Sequence, residues 1–566
     1  MFKKSLVLTL LLPLTLLAAP SKRRMLDELN FVKGVFEIKY APLKWKEEYA
    51  GFNLDQKIGE AVYRIHALPS PDLKEYHYIL KNFFNETKDY HVGVSFYATE
   101  EASLPFQIKG AEGRFFFVDI DRLCLPLSEF PFSVGDEILF FDGRPIQEVI
   151  EELRKQELGE NTEKTDLALA EMLLTNRRAA NGEYVPSGPV EIVGQRQGAN
   201  SPQAVELEWF YYPERIEGFD PVIRCSPNFS NWRLNPRESV KTEKFFERLM
   251  LFRGWQGSHV GCSLSENKHA LGARVSFIPR LGKKVWSSPK DSIFDAYTFT
   301  ASNHKFGYIR IPHYMGDEEE MEEFCKIMKQ FQRTTEALVI DQINNPGGSI
   351  FYLYSLVAAL TDKEEVQAPK HRLMLNQEEV YMAISILDAL EGVEAVSEAK
   401  EVLGETLGGY PISLETISLM RGFCNFVLDQ WAEGKVFTEP THLFGVDKIK
   451  KHPLGNYSKP VLLLTNPLDF SAGDFFPAML QDSKRATILG TRTAGAGGYV
   501  TGTVYPNNTA VAGFHLTGSI AERINKQPIE NLGVLPDIEY EPTAFDFQNN
   551  YSEYAQKIID TLLKII

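Results

Sequence analysis

Ser471 is the residue of this 566-residue sequence best placed to do covalent chemistry. The apolar run Val461-Leu462-Leu463-Leu464 predicts a short, fully covered strand. Asn466, Pro467 and Asp469 break it, small residues follow at Ala472 and Gly473, and the spacing of Phe475, Phe476, Met479 and Leu480 starts a helix. A serine on such a strand-to-helix turn holds its hydroxyl at the edge of a sheet, where the next backbone N–H groups can receive an oxyanion. A helix N-cap is the other role for a serine at this position, and this stretch alone does not separate the two. A second turn, Asn344-Asn345-Pro346-Gly347-Gly348, also closes a buried strand and opens a helix. Its glycines let backbone approach a ligand closely and aim N–H groups at negative charge. No Lys-Ser/Thr pair follows, so a phosphate loop is disfavoured. His91 stands where a helical period gives way to an alternating one, in KDYHVGVSFYATE. A lone histidine is most often structural, and its junction position leaves a chemical role open.

The elements that must carry these turns are two strand–helix units. FGYIRI, DEEEMEEFCKIMKQFQ, ALVIDQINNPGGS and a helix from about Phe351 form the first; residues 460–482 with RATILGTRT form the second. Such alternation predicts right-handed βαβ units and a parallel sheet, with both turns on one sheet edge. Residues 377–435, between the units, form an almost wholly helical insertion.

Composition narrows the function. Hydrophobic residues make up 44% and charged residues 24%, and the length predicts two to four domains. A net charge of −16 without Lys/Arg clusters argues against nucleic acid and anionic membrane as partners. Residues 1–19 match a secretory signal, with Lys3 and Lys4, an apolar run from Leu6 to Leu17 and Ala18-Ala19 before Pro20; the run is too short to span a bilayer. The expectation is an exported protein with no membrane anchor. Five scattered cysteines predict no disulfide framework. His259, Cys262 and His269 lack a completing fourth ligand, so no metal or other cofactor is expected.

The modules follow in order. Residues 20–90 carry dense helical signals. Residues 91–216 are rich in strands, and G-D-E-I-L-F-F-D-G-R-P-I from Gly135 to Ile146 resembles the core of a PDZ domain, which takes an extended peptide as an added strand. Residues 217–291 are irregular, a pattern that inside a compact protein suggests a functional segment. Residues 292–566 hold the two strand–helix units.

Taken in order, FGYIRI, DQINNPGGS, LLLTNPLDFSAGD, ATILGTRTAGAGG and ENLGVLPDIEY resemble the tail-specific (C-terminal processing) serine proteases. The resemblance implies an α/β multidomain protein with a ClpP/crotonase-like core, a PDZ-like domain and a helical N-terminal region. It implies Ser471 as nucleophile, with oxyanion donors from the Ala472 N–H and from Gly347 or Gly348. Many members pair the serine with a lysine in T-x-G-K-G, but here Thr493-Ala494-Gly495-Ala496-Gly497 has Ala496 at that place. His91 and Glu530 would replace it, in an order that looks like the tricorn-type branch; block position favours Glu530 over Glu522, Asp537, Glu539 and Glu541. A neighbouring imidazolium is expected to keep Glu530 ionised near neutral pH. The resemblance further implies a self-cleaving zymogen with an inhibitory segment near residues 235–290, a homodimer, and protein substrates in a host cell. The competing expectation is a non-catalytic binder of peptides or hydrophobic ligands on the same scaffold.

Overall fold

The computed structural model describes residues 21–215, 267–362 and 365–566. The expected signal segment and most of the expected inhibitory segment therefore lie outside the described residues.

A seven-stranded sheet is the centre of the molecule, in the order Lys283–Ser287, Ala296–Ala301, His304–Arg310, Ala337–Asp341, Val461–Thr465, Thr487–Gly490 and Ile538–Glu539. The first three strands pair antiparallel and the rest run parallel. Every residue of Val461–Thr465 is buried, because layers cover both faces. Val461 and Leu463 point into one apolar cluster with Phe324, Phe351 and Phe476 from the helices Glu318–Thr334, Ile350–Leu360 and Ala472–Asp482. Leu462 and Leu464 point into the opposite cluster, with Tyr554, Ile558 and Leu562 of the C-terminal helix Ser552–Ile565. That double covering is why the strand reads as an unbroken apolar run. Truncating Leu463 to alanine would cost about 2–5 kcal/mol.

The helices Lys22–Lys39, Leu43–Ala50, Leu54–Ala67 and Leu73–Asn85 pack around Leu29, Phe36 and Phe84, and their cluster includes Phe514 and Leu516 of the strand Val511–Thr517. That strand pairs antiparallel with Gly93–Phe96, directly after His91. The N-terminal helices are thus fastened to the C-terminal half of the chain. Between the two lies a second sheet, including Phe106–Ala111, Arg114–Ile120, Glu137–Phe141, Pro189–Gln195 and Gln203–Glu208, with helices Ile146–Glu157 and Glu163–Thr175 against it. Asp142 and Gly143 both have positive φ, as a two-residue hairpin turn requires. The insertion between the two strand–helix units contains the helices Gln377–Ala389, Val396–Leu403 and Leu414–Ala432.

Two expectations need correction. Lys283–Ser287, assigned from sequence to the irregular segment, is the edge strand of the core sheet; with two lysines in five residues it shows too little alternation to be recognised. Cys124 is disulfide-bonded, although cysteine spacing gave no pairing signal. Cys325 and Cys424 are free and buried. His269, one of the dismissed metal candidates, stacks on Phe277 at 4.8 Å between ring centroids.

Candidate active site

Ser471 occupies a sharp turn, with φ 55° and ψ −115°, immediately before the helix Ala472–Asp482. A non-glycine residue held at positive φ is strained, and such strain persists only where the surroundings enforce it. The side chain makes no capping hydrogen bond to its helix, so the N-cap role does not explain it. Asp469 does much of the enforcing. Its buried carboxylate accepts from the Asn466 N–H at 3.0 Å, the Asn345 N–H at 3.0 Å and Gln342 Nε2 at 3.1 Å. Burial pushes its carboxyl well above the usual range. Asn344 and Asn466 complete the link, the Asn344 N–H donating to Asn466 Oδ1 at 3.0 Å and Asn466 Nδ2 to Asn344 Oδ1 at 2.7 Å. The two turns read from sequence are therefore one bonded unit.

Gly347 lies directly against the serine. A Cβ added to it would meet Phe470 O at 2.7 Å and Ser471 Cβ at 2.8 Å. Its N–H donates to Asn345 Oδ1 at 2.8 Å. Gly348, at φ 151°, lines one cavity with Ser471 and Ala472.

His91 is 1% exposed, and its N–H donates to Asp89 Oδ1 at 2.9 Å. One ligating atom each of Asp89, His91 and Glu530 fall within 4.8 Å of one another, so the structure brings His91 and Glu530 together across 439 residues of chain. Their neighbours meet the Ser471 turn: the rings of Tyr90 and Phe470 pack edge-on at 5.5 Å. Burial lowers His91 to about 4, against the pull of Asp89, which makes it a neutral imidazole at physiological pH.

Glu530 departs from expectation. Burial, with the Asp89 carboxylate beside it, raises it to about 8; Lys46 and the Gly497 N–H oppose that rise. The neighbouring His91 is neutral, so the cation that faces Glu530 is Lys46, from the helix Leu43–Ala50. Its fully buried ammonium bonds Glu530 Oε1 and Asn531 Oδ1 and donates to Lys88 O at 2.7 Å, with Asp89 Oδ2 4.0 Å away. Asp89 also accepts from Thr517 Oγ1 at 2.8 Å and Tyr40 OH at 3.1 Å. The Gly497 N–H donates to Glu530 Oε2 at 2.9 Å. Ala496, where a lysine would stand in many relatives, is fully buried, and its N–H donates to Asp474 Oδ2 at 3.0 Å. The rival carboxylates are spent elsewhere: Asp537 accepts from the Ile488 N–H and Gln481, Glu539 and Glu541 pair with Lys164, and Glu522 with Arg372.

Comparison with known proteins gives this geometry its setting. Peptidase family S41 matches residues 305–540, and a PDZ domain matches residues 100–216. The structure of mature CPAF complexed with lactacystin is 34% identical, covers 96% of this chain and 99% of its own, and superposes with a TM-score of 0.81. The chain belongs to peptidase family S41. Another structure of mature CPAF gives the same identity and TM-score, with 96% of this chain and 98% of that one covered. An uncharacterized protein of Chlamydia muridarum is 37% identical over 569 residues, 96% of this chain and 92% of the relative. A Chlamydia trachomatis serovar D protein is 36% identical over 572 residues, 96% and 93% of the two chains.

This S41 peptidase is a CPAF-like serine peptidase of mixed α/β fold with a PDZ domain. No helix among its described residues is long and apolar enough to cross a membrane. Lys46, Asp89 and Asp469 are the polar site residues that sequence reasoning did not assign. Asp89 had a signal in its place two residues before His91. Lys46 had none, since LKWKEEYA reads as a solvated helix face.

Proposed function

We propose that the protein is an endopeptidase whose catalytic residues are Ser471, His91 and Glu530. The observation that carries this reading is the strained, uncapped Ser471 packed on Gly347, with its turn touching the segment in which His91 and Glu530 meet. The Ser471 hydroxyl oxygen attacks a peptide carbonyl carbon while neutral His91 takes the hydroxyl proton. The tetrahedral intermediate then expels the amine, which receives that proton from His91. Water repeats the sequence on the acyl-enzyme. Glu530 stabilises the transient imidazolium and fixes its orientation, and the nearby Asp89 carboxylate assists. For the oxyanion donors, Ala472 and Gly348 are the better pair, because the Gly347 N–H already serves Asn345. One such donor lowers the barrier by about 3–4 kcal/mol.

The finer reading is an exported enzyme. The composition of residues 1–19 supports a removable signal, and the high similarity to mature CPAF supports synthesis as a zymogen whose segment near residues 235–290 is cut out. Host proteins as substrates and a role in virulence enter the proposal through the resemblance of the sequence blocks alone. A homodimer, and the division into residues 20–90, 91–216, 217–291 and 292–566, belong to the same proposal. The decisive experiment compares casein and self-cleavage by the wild type and Ser471→Ala. Loss of both activities in a folded variant is expected; equal cleavage would refute the nucleophile.

A further inference from the structure

Beside Ser471 lies a cavity of about 100 Å³ with apolar walls that include Leu373, Met382, Phe423 and Phe475. Two deeply buried polar side chains interrupt those walls. Glu379, 6% exposed, sits in the first turn of the insertion helix Gln377–Ala389; its Oε1 accepts from the Tyr499 hydroxyl. Its Oε2 has no hydrogen-bond partner among the described residues. His371, 1% exposed, pairs through Nδ1 with Ser519 Oγ at 3.0 Å, and its Nε2 is likewise without a partner. Ser519 Oγ also accepts from the Tyr499 N–H at 3.0 Å, so its own proton is available to His371 Nδ1, and in that tautomer Nε2 carries the imidazole N–H. A buried polar atom without a partner costs about 1–3 kcal/mol. A pocket meant only for aliphatic side chains would carry leucine or methionine at both places.

We propose that this cavity receives the side chain of the residue whose carbonyl Ser471 attacks, and that Glu379 and His371 select an apolar body with a hydrogen-bonding tip, tyrosine over phenylalanine. The proposal rests on Ser471 being the nucleophile. A phenol oxygen donates one hydrogen bond and accepts others, so it can answer a carboxyl oxygen and an imidazole N–H with one atom. Burial raises Glu379 to about 7 and lowers His371 to about 3. A phenol suits either form of Glu379, accepting from the acid or donating to the carboxylate. A lysine tip would carry a full charge into the same apolar walls, which is far more costly. A site that hydrogen-bonds a substrate hydroxyl rejects the analogue lacking it, because the site's own groups are left unpaired.

The test is a set of peptides identical except for Tyr, Phe, Leu or Lys at the residue preceding the cut. They are assayed with wild type, Glu379→Gln and Glu379→Leu, each proven active on casein. Wild type should favour Tyr over Phe by tenfold or more in kcat/KM, and Glu379→Leu should reverse that order. Equal Tyr and Phe rates, a preference for Lys, or an unchanged order in Glu379→Leu would overturn the assignment. If Glu379→Leu does not fold, the wild-type Tyr/Phe ratio decides alone. Ser471-dependent cleavage without preference defeats only the pocket assignment, whereas cleavage that survives Ser471→Ala defeats the nucleophile as well.

Discussion

Lys46→Met removes the single cation among the described residues that lies within ion-pair distance of Glu530, and its consequence follows from charge geometry. The ammonium is fully buried, bonds Glu530 directly and stands 4.0 Å from Asp89. At an effective dielectric of about 20, a pair at that separation is worth about 4 kcal/mol. Without it, two buried carboxyls face each other uncompensated, and breaking such a pair by removing one partner costs about 3–5 kcal/mol. Glu530, already raised to about 8, relieves the repulsion by staying protonated across the neutral range. In the proposed triad a protonated Glu530 cannot support the imidazolium of His91, and disabling the orienting acid of a triad lowers kcat by about 10⁴. The assay is kcat/KM on a peptide from pH 6 to 9.5, beside thermal melts. The wild-type rate should climb through pH 8 and level off near pH 9 as the Glu530 carboxylate forms; the Lys46→Met limb should lie higher in pH with a far lower rate at pH 7. Lys46→Met/Glu530→Gln should regain stability relative to Lys46→Met while staying slow, since both halves of the buried pair are then gone. A folded Lys46→Met enzyme within threefold of wild type at pH 7 would refute the reasoning.

Two further outcomes are expected. Gly347→Ala forces a Cβ to 2.8 Å from the Ser471 Cβ at a φ of +91°, so kcat should fall by about 10² or more through displacement of the proposed nucleophile and oxyanion donors; an unchanged kcat would show that the turn yields freely. For stability, burial raises Glu530 to about 8, Glu379 to about 7, and Asp474 and Asp166 to about 6. A carboxyl raised in the folded state stabilises fully below its unfolded value and loses that contribution as pH rises through the folded one. His91 and His515, lowered to about 4, and His269 and His371, lowered to about 3, act oppositely, but only below their ordinary value of 6.5. Above that pH the carboxyls act without opposition from these histidines, so the melting temperature should drop between pH 6.5 and 8.5; a flat or rising curve in that window would contradict the burial of these groups.

What the sequence disclosed follows from the range of the forces involved. Val461–Thr465 and the turn at Ser471 are local: an apolar run covered on both sides and a break into small residues are written in consecutive letters, and the structure departs little from them. Asn344 to Gly348 was legible for the same reason, since glycines at positive φ betray a turn wherever it packs. The polar network is not local. Lys46 sits in a helix whose neighbours are Lys44, Glu47 and Glu48, and nothing in that pattern separates a solvated lysine from one buried against a glutamate 484 residues away. Its burial depends on the N-terminal helices closing over Val511–Thr517, a tertiary event. Glu379 is hidden similarly, as one of two adjacent glutamates opening an insertion helix, where an acidic first turn is the ordinary electrostatic choice. In both cases the charge was visible and its desolvation was not. Desolvation is what turns these side chains from surface decoration into groups that set a pKa or choose a substrate, because in water the same charges would be screened to about 1 kcal/mol or less.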